Sequence, residues 1–299
     1  MQGRDDARGR DHGEQRGDGP RPDDRPVLDP VIDMHAHVFP DTLAPTALAA
    51  LQGQSGLEPV YDGTTAGLAA AMARAGVARS VIQPVASKPS QVRSINDWLA
   101  GLADPRLSAF GALHPDLADP VAELARLQAR GVCGVKLHPE FQSFRPDDER
   151  LDSLYEGLAR RGLVVFFHAG KDIAIPTVHS DPACFARVLD RHPGLVVVLA
   201  HMGGWRQWDD VERDLAGRDV YLDTAFSMSD LGARGFCRLV AAVGAERVLF
   251  GSDGPWGDAA AEIALLAAMP LPGEAREAIL WGNAARLLQT TRIGDTAGG

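Results

Sequence analysis

Short apolar runs alternate with helical patterns along most of the chain. Eight runs rich in β-branched and large apolar residues recur: Val31–Val38, Ser80–Ala86, Leu107–Leu113, Val132–His138, Leu163–His168, Leu195–His201, Asp219–Ala225 and Arg247–Ser252. Most end in polar residues or histidine, and runs of this kind predict strands. VVFF and VVVLA are continuous rather than alternating, as expected of strands covered on both faces. Between them, Gly67–Arg74, Ile95–Leu102, Pro120–Arg130, Leu151–Arg161, Pro182–Arg191, Trp208–Leu215, Leu231–Val243 and Gly273–Leu288 carry helical spacing. Proline opens two of them, where its missing N–H costs nothing. Eight βα units in about 260 residues predict an α/β fold, a single-domain (β/α)8 TIM barrel. An open doubly wound sheet gives no reason for polar residues at so many separate strand ends.

The pattern fails at the ends. Residues 1–28 are dominated by Arg, Asp, Gly and Pro and hold almost nothing to bury. Such a segment cannot offset its ordering entropy, so a disordered polar tail is expected, followed by the barrel over 29–290 and a flexible C-terminus over 291–299. With 299 residues and a hydrophobic fraction of 45%, the chain can fill one large core. The net charge of −10 argues against a nucleic-acid partner. No apolar run reaches the roughly 18 residues of a membrane span. Cys133, Cys184 and Cys237 fit neither a CxxC pair nor a disulfide framework. They read as small core residues in a reducing cytoplasmic protein.

Six of the nine histidines lie at the ends of predicted strands: His35, His37, His114, His138, His168 and His201. In a barrel these ends form one rim, where active sites are built. In VIDMHAH, His35 and His37 are two apart on a strand and share a face. FFHAG brings His168, LAHMGG brings His201, and LFGSDGPW brings Asp253. Histidines with a carboxylate supply the nitrogen and oxygen donors that zinc favours, with room for water. In GVKLHPE, Lys136 and His138 share a face. Lys171, Arg206 and Trp256, with Arg93 and Trp205, fall on expected rim loops and are candidates to choose the substrate; the two basic side chains Lys171 and Arg206 suit an anion. His179, in the loop after the fifth strand, is a further candidate to reach substrate. His114 and His192 read as structural, and His12 falls in the tail.

HAH, FFHAG, AHMGG and GSDGPW, in that order, with Asn283 in a terminal WGNAARLL, resemble the amidohydrolase superfamily. The resemblance spans Val31 to Leu288 and points to the amidohydrolase-related branch that includes aminocarboxymuconate-semialdehyde decarboxylase-like proteins. It implies a divalent metal, Zn2+ or Mn2+, held by His35, His37, His168 and Asp253, with His201 a catalytic group beside it. One ion is expected. Two-metal members carboxylate a lysine on the fourth strand as a bridge, which here is Lys136. That lysine could equally hold a substrate carboxylate as an ammonium, or pair internally with Asp253 or Glu140.

The expected activity is hydrolysis of a small-molecule ester, lactone or amide through a metal-activated water, with Asp253, His201 and Lys136 catalytic. Non-oxidative decarboxylation of a small carboxylic acid is the alternative, and a non-catalytic binding barrel a remote one. His138 joins Lys171, Arg206 and Trp256 as a substrate-binding candidate. A small molecule is the expected partner, and a homo-oligomer is expected by analogy with related barrels.

Overall fold

The computed structural model describes residues 30–293. The expected tail over 1–28, with His12, lies outside the described residues, as do residues 294–299 of the expected flexible C-terminus. Residues 291–293 continue the last helix, Asn283–Ile293.

Nine parallel strands follow one another around the fold: β1 (Val31–Ala36), β2 (Val77–Ile82), β3 (Leu107–Ala109), β4 (Gly111–Ala112), β5 (Gly134–Leu137), β6 (Val164–Phe167), β7 (Val197–Leu199), β8 (Tyr221–Asp223) and β9 (Val248–Leu249). β3 and β4 are halves of one strand interrupted at Phe110, so the nine fill eight barrel positions. The Phe110 N–H bridges the interruption by donating to the Ile82 carbonyl at 3.0 Å. Met34 N–H donates to the Phe250 carbonyl at 2.9 Å and His37 N–H to Gly254 at 2.6 Å, which closes the ring from β9 back to β1. The fold is the expected TIM barrel.

Alternation within the buried runs explains their continuous apolar sequence. Val164 and Phe166 join an inner cluster with Ile32, Phe110, Val198 and Leu249, whereas Val165 and Phe167 pack with the surrounding helices. Every strand is shorter than its apolar run. Pairing stops at Phe167 and Leu199, which leaves His168 and His201 just past the ladder, where the chain turns across the rim.

Two helices start where proline and a capping carboxylate coincide. Asp119 accepts from Ala122 N–H ahead of Pro120–Gln128, and Asp181 accepts from Cys184 N–H ahead of Pro182–Arg191. Two helices, Ala44–Ser55 and Ala259–Ala268, were not expected. Both are alanine-rich and bury only one or two residues, so they carry no apolar stripe to read. The expected helix Gly273–Leu288 is broken by a wider turn at Ala278–Gly282. That turn lets the Ile279 carbonyl leave the helix ladder and accept from Phe250 N–H at 2.9 Å.

Beneath the rim, Asn96 on the helix Val92–Leu99 holds both backbone groups of Ala112, at 2.7 and 3.0 Å, and donates to Glu123 at 2.7 Å. It is buried, so Asn96→Ala strands an N–H and a carbonyl in the interior. A loss of about 2 kcal/mol is expected, read as a lower urea midpoint at unchanged slope. All three cysteines are free. No helix among the described residues is long and apolar enough to cross a membrane.

Candidate functional site

His35 lies in the last turn of the pleat of β1 and His37 just past its end, and the register of β1 against β2 shifts between Asp33 and Ala36. A bulge of this kind re-aims side chains, and both imidazoles turn into the barrel mouth with ring centroids 5.1 Å apart. Across β9, Asp33 clamps the geometry by accepting from the N–H groups of His35 and Ser252 and from the Ser252 hydroxyl. Asp253 follows with a left-handed φ of 60°, its N–H donating to the His35 carbonyl at 2.7 Å. An aspartate held in that region stores backbone strain, a feature of functional sites.

His35 Nδ1 lies 2.7 Å from Asp223 Oδ2, so Nδ1 carries the proton. Burial pushes the imidazole well below its usual range, and the ring is neutral. Its Nε2 lone pair therefore faces Asp253 Oδ1 at 3.2 Å, and His37 Nε2 reaches the same oxygen at 2.9 Å. A lone pair aimed at a carboxylate oxygen is repulsive unless a cation lies between them. The donor set of His35, His37 and Asp253 therefore fits a divalent metal.

His168 is placed differently from its expected partners. It falls in a separate cluster with His138 and Asp172, on whose histidine it stacks at 4.2 Å between centroids. Its Nδ1 meets His201 Nε2 at 3.1 Å, and His201 Nδ1 faces the Ala225 carbonyl at 3.0 Å. His201 has φ of 58° and the following Met202 52°, so this turn too is strained. Lys136 is buried, with Nζ 4.4 Å above the Phe166 ring. Burial lowers its pKa to about 8, even though Asp253, Asp223 and Glu140 favour the charge. His138 accepts from Phe141 N–H through Nδ1 at 3.3 Å and begins the short helix Pro139–Gln142.

These groups line one cavity of about 420 Å³ at the barrel mouth. His35, His37, Lys136, His138, His168, His201 and Asp253 face it, with Lys171 and Trp256 nearer the opening. Phe39, Phe141, Phe226 and Trp205 add aromatic walls. Arg206 is not among the lining residues. It stacks on Trp205 at 4.2 Å and pairs with Asp230 at 3.2 Å, because its left-handed backbone (φ 57°) turns it outward. Arg93 is exposed and also lies off the cavity. His179 sits off the cavity, its N–H held by Glu140. His114 accepts from Asp116 N–H, and His192 pairs with Asp152 at 2.9 Å.

Two acids, Asp172 and Asp223, were missed from the sequence, and Glu140, expected only as a partner for Lys136, instead accepts from the His179 N–H and the Ser180 hydroxyl. Asp223, at the end of β8, accepts from His35 Nδ1 and, through its other oxygen, from the N–H groups of His201 and Ala225 at 2.8 and 3.1 Å. One carboxylate thus orients the β1 and β7 ends together. Asp223→Asn is expected to weaken metal binding at His35 about 10- to 100-fold, measured by chelator competition. Unchanged affinity would show that His35 needs no such partner.

The amidohydrolase family profile matches residues 32–290. No match is found among curated proteins. Among solved structures, 5-carboxyvanillate decarboxylase from Sphingomonas paucimobilis is 17% identical, with 87% of this chain and 99% of that chain covered at a TM-score of 0.66. A Pseudomonas putida protein named as a 2-pyrone-4,6-dicarboxylic acid hydrolase is 22% identical, covering 88% of this chain and 98% of its own, at 0.63. A dihydroxybenzoic acid decarboxylase from a Polaromonas species, with bound manganese and 2-nitroresorcinol, is 16% identical, covering 90% and 100%, at 0.66. At these identities the likeness is one of fold. The profile spans nearly the whole barrel, and the chain belongs to the amidohydrolase family.

Proposed function

We propose that the chain is a metal-dependent hydrolase of a small carboxylate-bearing ester, lactone or amide. The observation that carries this reading is the placement of His35, His37 and Asp253 in one cavity with the cations of Lys136 and Lys171. A divalent metal at the three donors supplies Lewis acidity toward a carbonyl and brings the pKa of water toward neutrality. Asp253 takes the proton of the attacking water and returns it to the leaving oxygen or nitrogen. Lys136 binds the substrate carboxylate from the cavity wall and lies near the developing oxyanion, and His201, anchored at the Ala225 carbonyl through Nδ1, orients the His168 ring through Nε2. Trp205, Trp256 and Phe226 exclude water around the substrate.

Decarboxylation is the second reading, favoured by the aromatic walls, which suit a flat ring, and by the two decarboxylases of like fold. The manganese in one of them supports testing Mn2+ beside Zn2+. Isotopes separate the two reactions. Hydrolysis in 18O-water puts label into the product carboxylate, whereas decarboxylation in D2O puts deuterium on carbon and releases CO2. Neither outcome, over panels of carboxylated lactones, esters, amides and aromatic acids, would sink both. In either reaction Lys136→Met is expected to lower kcat/KM about 10- to 100-fold, chiefly through KM.

A further inference from the structure

Gln83 follows the last residue of β2 and is wholly buried, yet it lines the cavity. Bonds to β1 fix it at both backbone and side chain. Its backbone N–H donates to the Ala36 carbonyl at 2.8 Å, and its side-chain Nε2 donates to the Met34 carbonyl at 2.8 Å. Pro84 comes next and confines the Gln83 backbone to extended conformations. A carbonyl can only accept, so the Met34 contact settles which end of the amide is nitrogen. Oε1 is the end left over, and no group among the described residues donates to it. A buried amide oxygen without a donor is costly, and here the space beside the side chain is the substrate cavity.

The position of Gln83 says what such a donor belongs to. β2 lies beside β1, which brings His35 and His37, and β5, which brings Lys136, lies beyond the split strand β3–β4. In strand order Gln83 therefore stands between the proposed metal ligands and the cation proposed for the substrate carboxylate, and all of them line one cavity. A molecule that reaches from Lys136 to His35 and His37 passes Gln83. Asp253 and Asp172, which also line the cavity, draw cationic groups. The amide oxygen of Gln83 is neutral and accepts from a neutral O–H or N–H.

We infer that Gln83 determines the substrate class: Oε1 accepts a hydrogen bond from a neutral hydroxyl or N–H that the substrate carries between its carboxylate and its reacting group. The substrate is then a hydroxylated or N–H-bearing acid derivative rather than a plain one. An analogue without the donor displaces water from Oε1 and leaves it unpaired, so the site rejects it. An acceptor already tethered to Ala36 and Met34 loses little freedom when the substrate arrives. Gln83 makes and breaks no bond; it is a positioning residue.

This inference rests on the reading of a carboxylate-bearing substrate, but the two fail separately. The Zn2+-loaded full chain is titrated calorimetrically with benzoate and with its hydroxy, amino and methoxy ring isomers. Phenol and aniline serve as probes without a carboxylate. At least one hydroxy or amino isomer is expected to bind about 10- to 100-fold more tightly than benzoate, while its methoxy counterpart, which cannot donate, gains nothing. Gln83→Met and Gln83→Leu remove the acceptor and should abolish that gain, leaving benzoate within about threefold of its affinity for the unaltered protein. A purely structural role for Gln83 would weaken every compound alike and overturn the inference. Thermal melts identify a variant that fails to fold, and the other then decides. No isomer exceeding benzoate in the unaltered protein also overturns it, as does a gain that persists in the variants, since the metal or another residue would then take the donor. If the benzoates do not bind but phenol or aniline does, and loses affinity in the variants, Gln83 keeps its role and the carboxylate reading falls. Binding by none of these compounds overturns both.

Discussion

Asp253→Asn is expected to lower turnover by about 1,000-fold while leaving the barrel folded. The carboxylate has two duties that an amide cannot share. Burial works against its charged form, but the hydrogen bond from His37 Nε2 at 2.9 Å helps to hold the carboxyl below the usual carboxylate range. It is therefore ionised at neutral pH, able to bind a cation through one oxygen and take a proton with the other. Asparagine keeps the size, and its backbone N–H still reaches the His35 carbonyl, so the strained turn at φ 60° persists. Asparagine also tolerates that backbone region better than most residues. Steady-state kinetics with the metal content held equal tests this; a loss smaller than tenfold would mean that another group moves the proton.

Residues that announce this site in the sequence share one property: each belongs to a run whose strand end is marked by glycine or by a paired histidine. HAH, FFHAG, AHMGG and GSDGPW all couple a donor to a tight turn, and that coupling is local enough to read. Asp223 and Asp172 are single acids with no such marker. Asp223 earns its place by reaching across the barrel to His35, 188 residues away, and nothing near it in sequence records that contact. Glu140 is anchored by Ser180, 40 residues on. Arg206 shows the converse. A basic residue on a rim loop reads as an anion contact, but a positive φ turns it onto Trp205 and Asp230 instead. The same limit explains the helices. Pro182–Arg191 carries both a cap and a stripe and is legible to the residue, whereas the wide turn at Ala278–Gly282 exists for a carbonyl that serves β9.

Gly170→Ala is expected to cost more stability than any substitution above and to prevent accumulation of the folded protein. The chain after β6 passes directly against the turn after β7: Trp205 N–H donates to the Ala169 carbonyl at 2.9 Å, and Lys171 N–H returns to the Trp205 carbonyl at 3.1 Å. Gly170 sits between these two bonds with φ of 88°, a conformation closed to L side chains at ordinary cost. A Cβ there would lie 2.2 Å from Trp205 N and 2.5 Å from the Gly204 carbonyl carbon. Both are backbone atoms, so no rotamer change relieves the overlap. Relief requires the two rim turns to separate, breaking both hydrogen bonds and moving His168 and His201 apart. Strain of about 1 to 3 kcal/mol from φ adds to two lost buried hydrogen bonds at about 1 to 3 kcal/mol each, a sum comparable to the whole stability of a typical domain. Gly194, which has φ outside the left-handed region and no atom within 4 Å of its Cβ position, is the control: Gly194→Ala should change the melting temperature little. Soluble yield and thermal melts of the two variants decide it. A Gly170→Ala protein that melts within a few degrees of the parent would mean the rim turns part easily, and the close pairing of His168 with His201 would then not be a rigid feature of the site.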